Sequence, residues 1–113
     1  MTKADSQDQK LVDEMKGQKL TEVRFVHDYV QLVFEAGQCF TINNDYTASA
    51  DNIATLIPLT LMNITDCPNC FCFQFEHGET LTVDMRDSAW NSPEAMTLSV
   101  PLPDGLSGLV VWN

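Results

Sequence analysis

The sequence predicts a mainly β domain, an antiparallel sheet, sandwich or partly open barrel, with an α+β arrangement as the alternative. It would be built from two repeated β-hairpins and a C-terminal hairpin, preceded by a short helix. Three observations predict this. Apolar and polar residues alternate through Val30-Gln31-Leu32-Val33-Phe34 and Cys39-Phe40-Thr41-Ile42, which puts Val30, Leu32, Phe34, Phe40 and Ile42 on one face of paired strands. The segment between them, Glu35-Ala36-Gly37-Gln38, is short, polar and contains glycine, a hairpin signal. The same pattern then returns 41 residues later, where Phe34–Asn43 aligns with Phe75–Asp84. A chain of 113 residues that is 44% hydrophobic makes one domain, 1–113, able to bury a core without metal or disulfide staples.

The elements follow in order. Residues 1–19 are a polar N-terminal segment in which Leu11, Val12 and Met15 suit a short amphipathic helix from Gln7 to Lys16. Ser6 with Gln9 offers an N-cap and Gly17 a C-terminal stop. Ten residues are marginal alone, so this helix needs the body to dock on. Units 20–44 and 61–85 are the repeated hairpins, with lead-in strands at Leu20–Val26 and Leu59–Ile64. Five identities in 25 aligned positions leave convergence of two ordinary hairpins as the competing explanation. Facing apolar residues pair Phe34 with Phe40, Leu32 with Ile42, Phe75 with Leu81, Phe73 with Val83 and Phe71 with Met85. That register requires three-residue loops, Ala36–Gln38 and His77–Glu79.

Between the units, Asn43–Asp45 and Ser49–Asn52 read as loops, and Ala50–Ile57 as helical turns ended by Pro58. Residues 86–113 are expected to hold a turn at Trp90–Pro93, a strand at Ala95–Val100, a turn at Pro103–Gly105 and a last strand at Leu109–Trp112. Pro101 and Pro103 confine that stretch to an edge or a bulge. The total is about seven strands, near the usual count for a small β domain.

Charge is the most informative property. The net charge is −10, and it is unevenly placed. Residues 1–19 balance four lysines against four carboxylates. From residue 20 on there is no lysine, and Arg24 and Arg86 face twelve carboxylates. Such a body repels phosphates and anionic lipid, so direct nucleic-acid and membrane binding are excluded as expectations. A single-sign field maintains solubility, and it also steers a cationic partner into contact. No run approaches the ~18 apolar residues of a spanning helix, and the N-terminus is polar, so a cytoplasmic protein is expected.

Motifs for catalysis are weak. Cys67-Pro68-Asn69-Cys70 resembles the glutaredoxin active site, yet that chemistry needs a helix after the second cysteine, and Phe71–Phe75 alternates as a strand. A zinc site from Cys67, Cys70 and Cys72 would need Cys39 or His77 as fourth ligand, and His77 lies about 17 Å along extended chain from Cys72. The simpler reading packs Cys70 and Cys72 away from the phenylalanines, with Cys67 at a turn. His27 and His77 have no aligned nucleophile, and there is no glycine-rich phosphate loop. Neither an enzyme nor a cofactor is expected, and the cysteine cluster remains the alternative.

The block Ser88-Ala89-Trp90-Asn91-Ser92-Pro93-Glu94-Ala95, with the strand Asp28–Phe34 and the ending Val110-Val111-Trp112, resembles small bacterial immunity proteins of polymorphic or contact-dependent toxin systems. The resemblance spans residues 20–112 in pattern and implies a protein that binds and neutralises a cationic toxin domain, a nuclease first. The carboxylates expected to meet it are Glu35, Asp45, Asp51, Glu76, Glu79, Asp84, Asp87 and Glu94. An acidic mimic of DNA that inhibits a DNA-binding protein is the second expectation.

Overall fold

The structure is a computed structural model and describes residues 6–26, 28–86, 95–102, 105 and 107–112. It is mainly β, as expected. A short helix α1 (Ser6–Asp13) precedes β1 (Leu20–Val26), β2 (Tyr29–Phe34), β3 (Cys39–Ile42) and β4 (Tyr46–Ala48). Then come β5 (Leu61–Cys67), β6 (Cys70–Phe75), β7 (Thr80–Asp84), β8 (Met96–Pro101) and β9 (Ser107–Trp112). Two antiparallel sheets result, in the orders β1-β2-β3-β8-β9 and β4-β7-β6-β5. Among the described residues one isolated backbone bridge, Lys19 to Thr60, links the two strand ladders, and they do not close into a barrel.

The 41-residue offset holds for the first three strands of each unit. It relates β1, β2 and β3 to β5, β6 and β7. Both lead-in pairs carry a bulge at the same place, between Leu20 and Glu22 and between Leu61 and Asn63. Leu20 N–H donates to the Leu59 carbonyl (3.0 Å), and Leu61 N–H donates to the Gln18 carbonyl (2.8 Å). Exchanging equivalent residues turns one bond into the other, as an approximate two-fold axis between Lys19 and Thr60 requires. The equivalent rings of Phe34 and Phe75 lie parallel within 1°, with centroids 6.5 Å apart. Two unrelated hairpins have no reason to share a bulge and reciprocal bonds.

Each unit lends its fourth strand to the other's sheet. β4 follows β3 but pairs with β7, and β8 follows β7 but pairs with β3. Tyr46 stands opposite Val83 as Met96 stands opposite Ile42. The crossing holds the halves together, and the buried Asn44 fastens it by donating from Nδ2 to the Asp84 carbonyl at 2.8 Å. Between the sheets lies an aromatic core in which Phe40 meets Phe73 edge-on at 4.8 Å and Phe71 meets Trp112 at 5.2 Å. Val12 and Met15 dock the N-terminal segment on this core, as the isolated helix needed.

Three expectations are corrected. The hairpin registers are shifted by two: Leu32 pairs with Phe40, Val30 with Ile42, Phe73 with Leu81 and Phe71 with Val83. An even shift keeps every side chain on its face, so alternation could not detect it. What sets the register is the turn. Gly37 has φ of +90° and takes the last loop position, so the first loop is Glu35–Gly37 and Phe34 faces Gln38. In the second hairpin His77 and Gly78 both have positive φ, and Glu76 is the extra residue before them. The helix ends at Asp13 rather than Lys16. Finally, nine strands are present among the described residues where about seven were expected. The turn at Trp90–Pro93, the turn residues Pro103 and Asp104, and His27 lie outside the described residues.

Candidate functional site

The carboxylates proposed from sequence fall into three groups. The first is already engaged within the fold. Asp84 accepts from Arg86 Nη2 at 2.6 Å, and these hydrogen bonds hold its carboxyl below the usual carboxylate range. Glu76 accepts the Thr60 N–H at 2.8 Å, which likewise lowers it. Glu79 accepts the Ser49 hydroxyl at 2.7 Å. Glu35 stands exposed in the equivalent turn of the first hairpin. Asp45 and Asp51 form the second group, at a surface groove described below. Asp87 and Glu94 lie outside the described residues.

Arg24 is bound by Glu22 on its own strand, and Arg86 by Asp84. Both arginines of the body are thus tied to carboxylates, and no lysine follows residue 19. The surface beyond the N-terminal segment carries its negative charge without a free cation to offset it.

Two adjoining depressions, of about 470 and 650 Å³, make one groove and share Phe25 and Tyr46. The end of β1, with Phe25 and Val26, the β3–β4 connection, β4 and residues 50–53 line it. Phe25 is 64% exposed, and Val26 and Tyr29 are also exposed. A large apolar surface left in water on a small domain is informative, whereas one scattered residue is not. Asp28, Asp45 and Asp51 stand around it, and no lysine or arginine is among the described residues that line it.

Local sequence explains why these side chains face out. The bulge after Leu20 changes the phase of β1, so Leu20 is buried while Phe25 and Val26 both emerge. Consecutive apolar residues at a strand end, out of step with the alternation, were the signal available for Phe25. Tyr46 carried none, because β4 is three residues long and sits among loop-forming residues.

The cysteines lie on strands rather than at a helix N-terminus. Cys67 and Cys70 close the β5–β6 hairpin around Pro68-Asn69, with strand rather than helix following. All four cysteines are free and half-buried. Burial, with Cys67 beside it, pushes the Cys70 thiol up, and burial does the same to Cys39. Cys70 and Cys72 alternate with the buried phenylalanines on the outer face. Among the described residues no group of three or more His, Cys, Asp or Glu is placed to hold a metal ion. No helix among them is long and apolar enough to cross a membrane.

Comparison with family models, with curated proteins and with solved structures returns no match. The groove and the charge therefore carry the functional argument on their own.

Proposed function

We propose that the protein binds and neutralises a cationic protein, an immunity protein set against a basic toxin domain, with a nuclease as the first candidate. The observation that supports this reading is the Phe25–Tyr46 groove, an apolar surface ringed by Asp28, Asp45 and Asp51 on a body whose arginines are both internally paired. A nuclease site is basic because it must hold phosphate, so an acidic body can occupy it and exclude substrate. The carboxylates speed encounter, and desolvated aromatic anchors slow dissociation.

The test uses any toxin domain found to be encoded beside this gene. Co-expression should restore growth, and the on-rate should fall about tenfold or more between low and ~0.5 M salt. Asp45→Asn with Asp51→Asn should lower the on-rate, while Phe25→Ala should raise the off-rate with its melting temperature unchanged. A salt-independent on-rate overturns the electrostatic mechanism. The absence of any toxin gene beside this one overturns the immunity reading.

A further inference from the structure

The pairing of β5 with β6 sets two thiols face to face. Cys67 and Cys70 are register partners at the tip of that hairpin, joined by the two-residue turn Pro68-Asn69. Opposed residues of an antiparallel pair share a face, with Cα atoms about 4.5–5.5 Å apart. A disulfide spans Cα separations of about 4.4–6.8 Å, so the backbone already stands at bridging distance. The two thiols are in hydrogen-bonding contact, and both are half-buried rather than sealed in the core. Pro68 presets the first turn residue, and the Asn69 carbonyl accepts the Met85 N–H at 3.0 Å, which holds the tip in place. The other cysteines face no thiol across the sheet: Cys72 stands opposite Thr65 and Thr82, and Cys39 opposite Val33 and Ser99. The β1–β2 hairpin of the first unit has the same register at its tip, yet there the facing residues are Val26 and Tyr29.

We propose that Cys67 and Cys70 are a reversible redox site, closing to a disulfide when a small-molecule disulfide such as oxidised glutathione is in excess. This site does not depend on which partner the groove binds. One cysteine thiolate attacks a sulfur of the small disulfide, forming a mixed disulfide and releasing one small thiolate. The facing cysteine then loses its proton and attacks the mixed disulfide at the protein sulfur, expelling the second small thiolate. Two protein thiols are oxidised, one small disulfide is reduced to two thiols, and the protons lost by the cysteines go to the released thiolates. With only two residues between the cysteines, the bridge removes little chain entropy from the unfolded state. It is therefore weakly held, and excess thiol reopens it. Its effect is local: it fixes the β5–β6 tip and, through the Asn69 carbonyl, the backbone of Met85 just after β7.

The test incubates the full chain with oxidised glutathione, alkylates the remaining thiols and maps the labels by mass spectrometry. Two of the four cysteines should escape alkylation, in a monomeric chain lighter by two hydrogens. Cleavage after Phe71 separates Cys72 from the pair. The fragment holding Cys67 and Cys70 should then carry no label, while Cys39 and Cys72 are both labelled. Excess reduced glutathione should return all four to labelling. Cys39→Ser with Cys72→Ser should leave closure unchanged, and Cys67→Ser should abolish it. Full labelling, a lasting glutathione adduct on Cys67 or Cys70, or a disulfide between two chains overturns the site. Loss of two thiols in Cys67→Ser would assign the bridge to other cysteines and overturn it equally. The wild-type map decides the matter even where a serine variant fails to fold.

Discussion

The halves around Lys19 and Thr60 share strand order, bulges and crossing, yet among the described residues β9 lies beyond β8 and no strand lies beyond β4. In the half with β9, Val110 and Trp112 are buried and Trp112 packs on Phe40 and Phe71. In the other half, β4 is half as long as β8 and borders a groove with an exposed phenylalanine. The difference lies in what stands beside the fourth strand: a buried β9 in one half, and an exposed Phe25 in the other.

The comparison is broken most forcibly at Trp112. Trp112→Ala removes the anchor of β9 and should cost about 3–5 kcal/mol in urea unfolding. Hydrogen exchange gives the sharper reading. The amides of Met96 and Leu98, opposite Trp112 and Val110 of β9, should speed up. Slow exchange at Met96 and Leu98 in that variant would mean that β9 does not protect the edge.

A second comparison uses equivalent glycines. Gly37 and Gly78 both hold positive φ, but a Cβ at Gly37 would stand 3.0 Å from Pro101 Cγ, whereas one at Gly78 meets nothing within 4 Å. Gly78→Ala should therefore cost only the left-handed strain of about 1–2 kcal/mol. Gly37→Ala should cost about 1 kcal/mol more, because the ring of Pro101 must give way at the end of β8. Equal costs would show that Pro101 moves freely. That outcome would count against the end of β8 being held fixed.

Much of this architecture was legible in the sequence, and the limits are physical. The faces of β2, β3, β6 and β7 follow from alternation, and the 41-residue offset predicted both lead-in strands. Register escaped because a shift of two leaves the faces unchanged, and only the positive φ at Gly37, His77 and Gly78 decides it. The strand exchange escaped because partner choice between β3 and β8 depends on chain segments far apart, which no local pattern encodes. β4 escaped for its length. For the same reason the groove could not be foreseen, although two of the carboxylates expected to meet a partner, Asp45 and Asp51, stand on it. Others in that set, Glu76, Glu79 and Asp84, accept hydrogen bonds within the fold. A carboxylate at a turn looks the same in sequence whether it meets solvent or a backbone N–H.

The smallest expected effect tests that last distinction at equivalent turns. Glu76 accepts the Thr60 N–H, and this bond lowers its pKa in the folded chain. A group lowered by folding contributes stability that is fully present above its unfolded pKa and is lost as pH falls through the folded value. For a glutamate that window lies below about pH 4.3. Glu76→Gln keeps a carbonyl acceptor for Thr60 but cannot titrate, so its urea midpoint should fall less than the wild type's between neutral pH and the acid limb. Glu35→Gln, at the matching turn of the first hairpin, is the control. If the two variants show the same acid limb, the Glu76–Thr60 bond contributes no acid-sensitive stability, and the two turns differ in geometry alone.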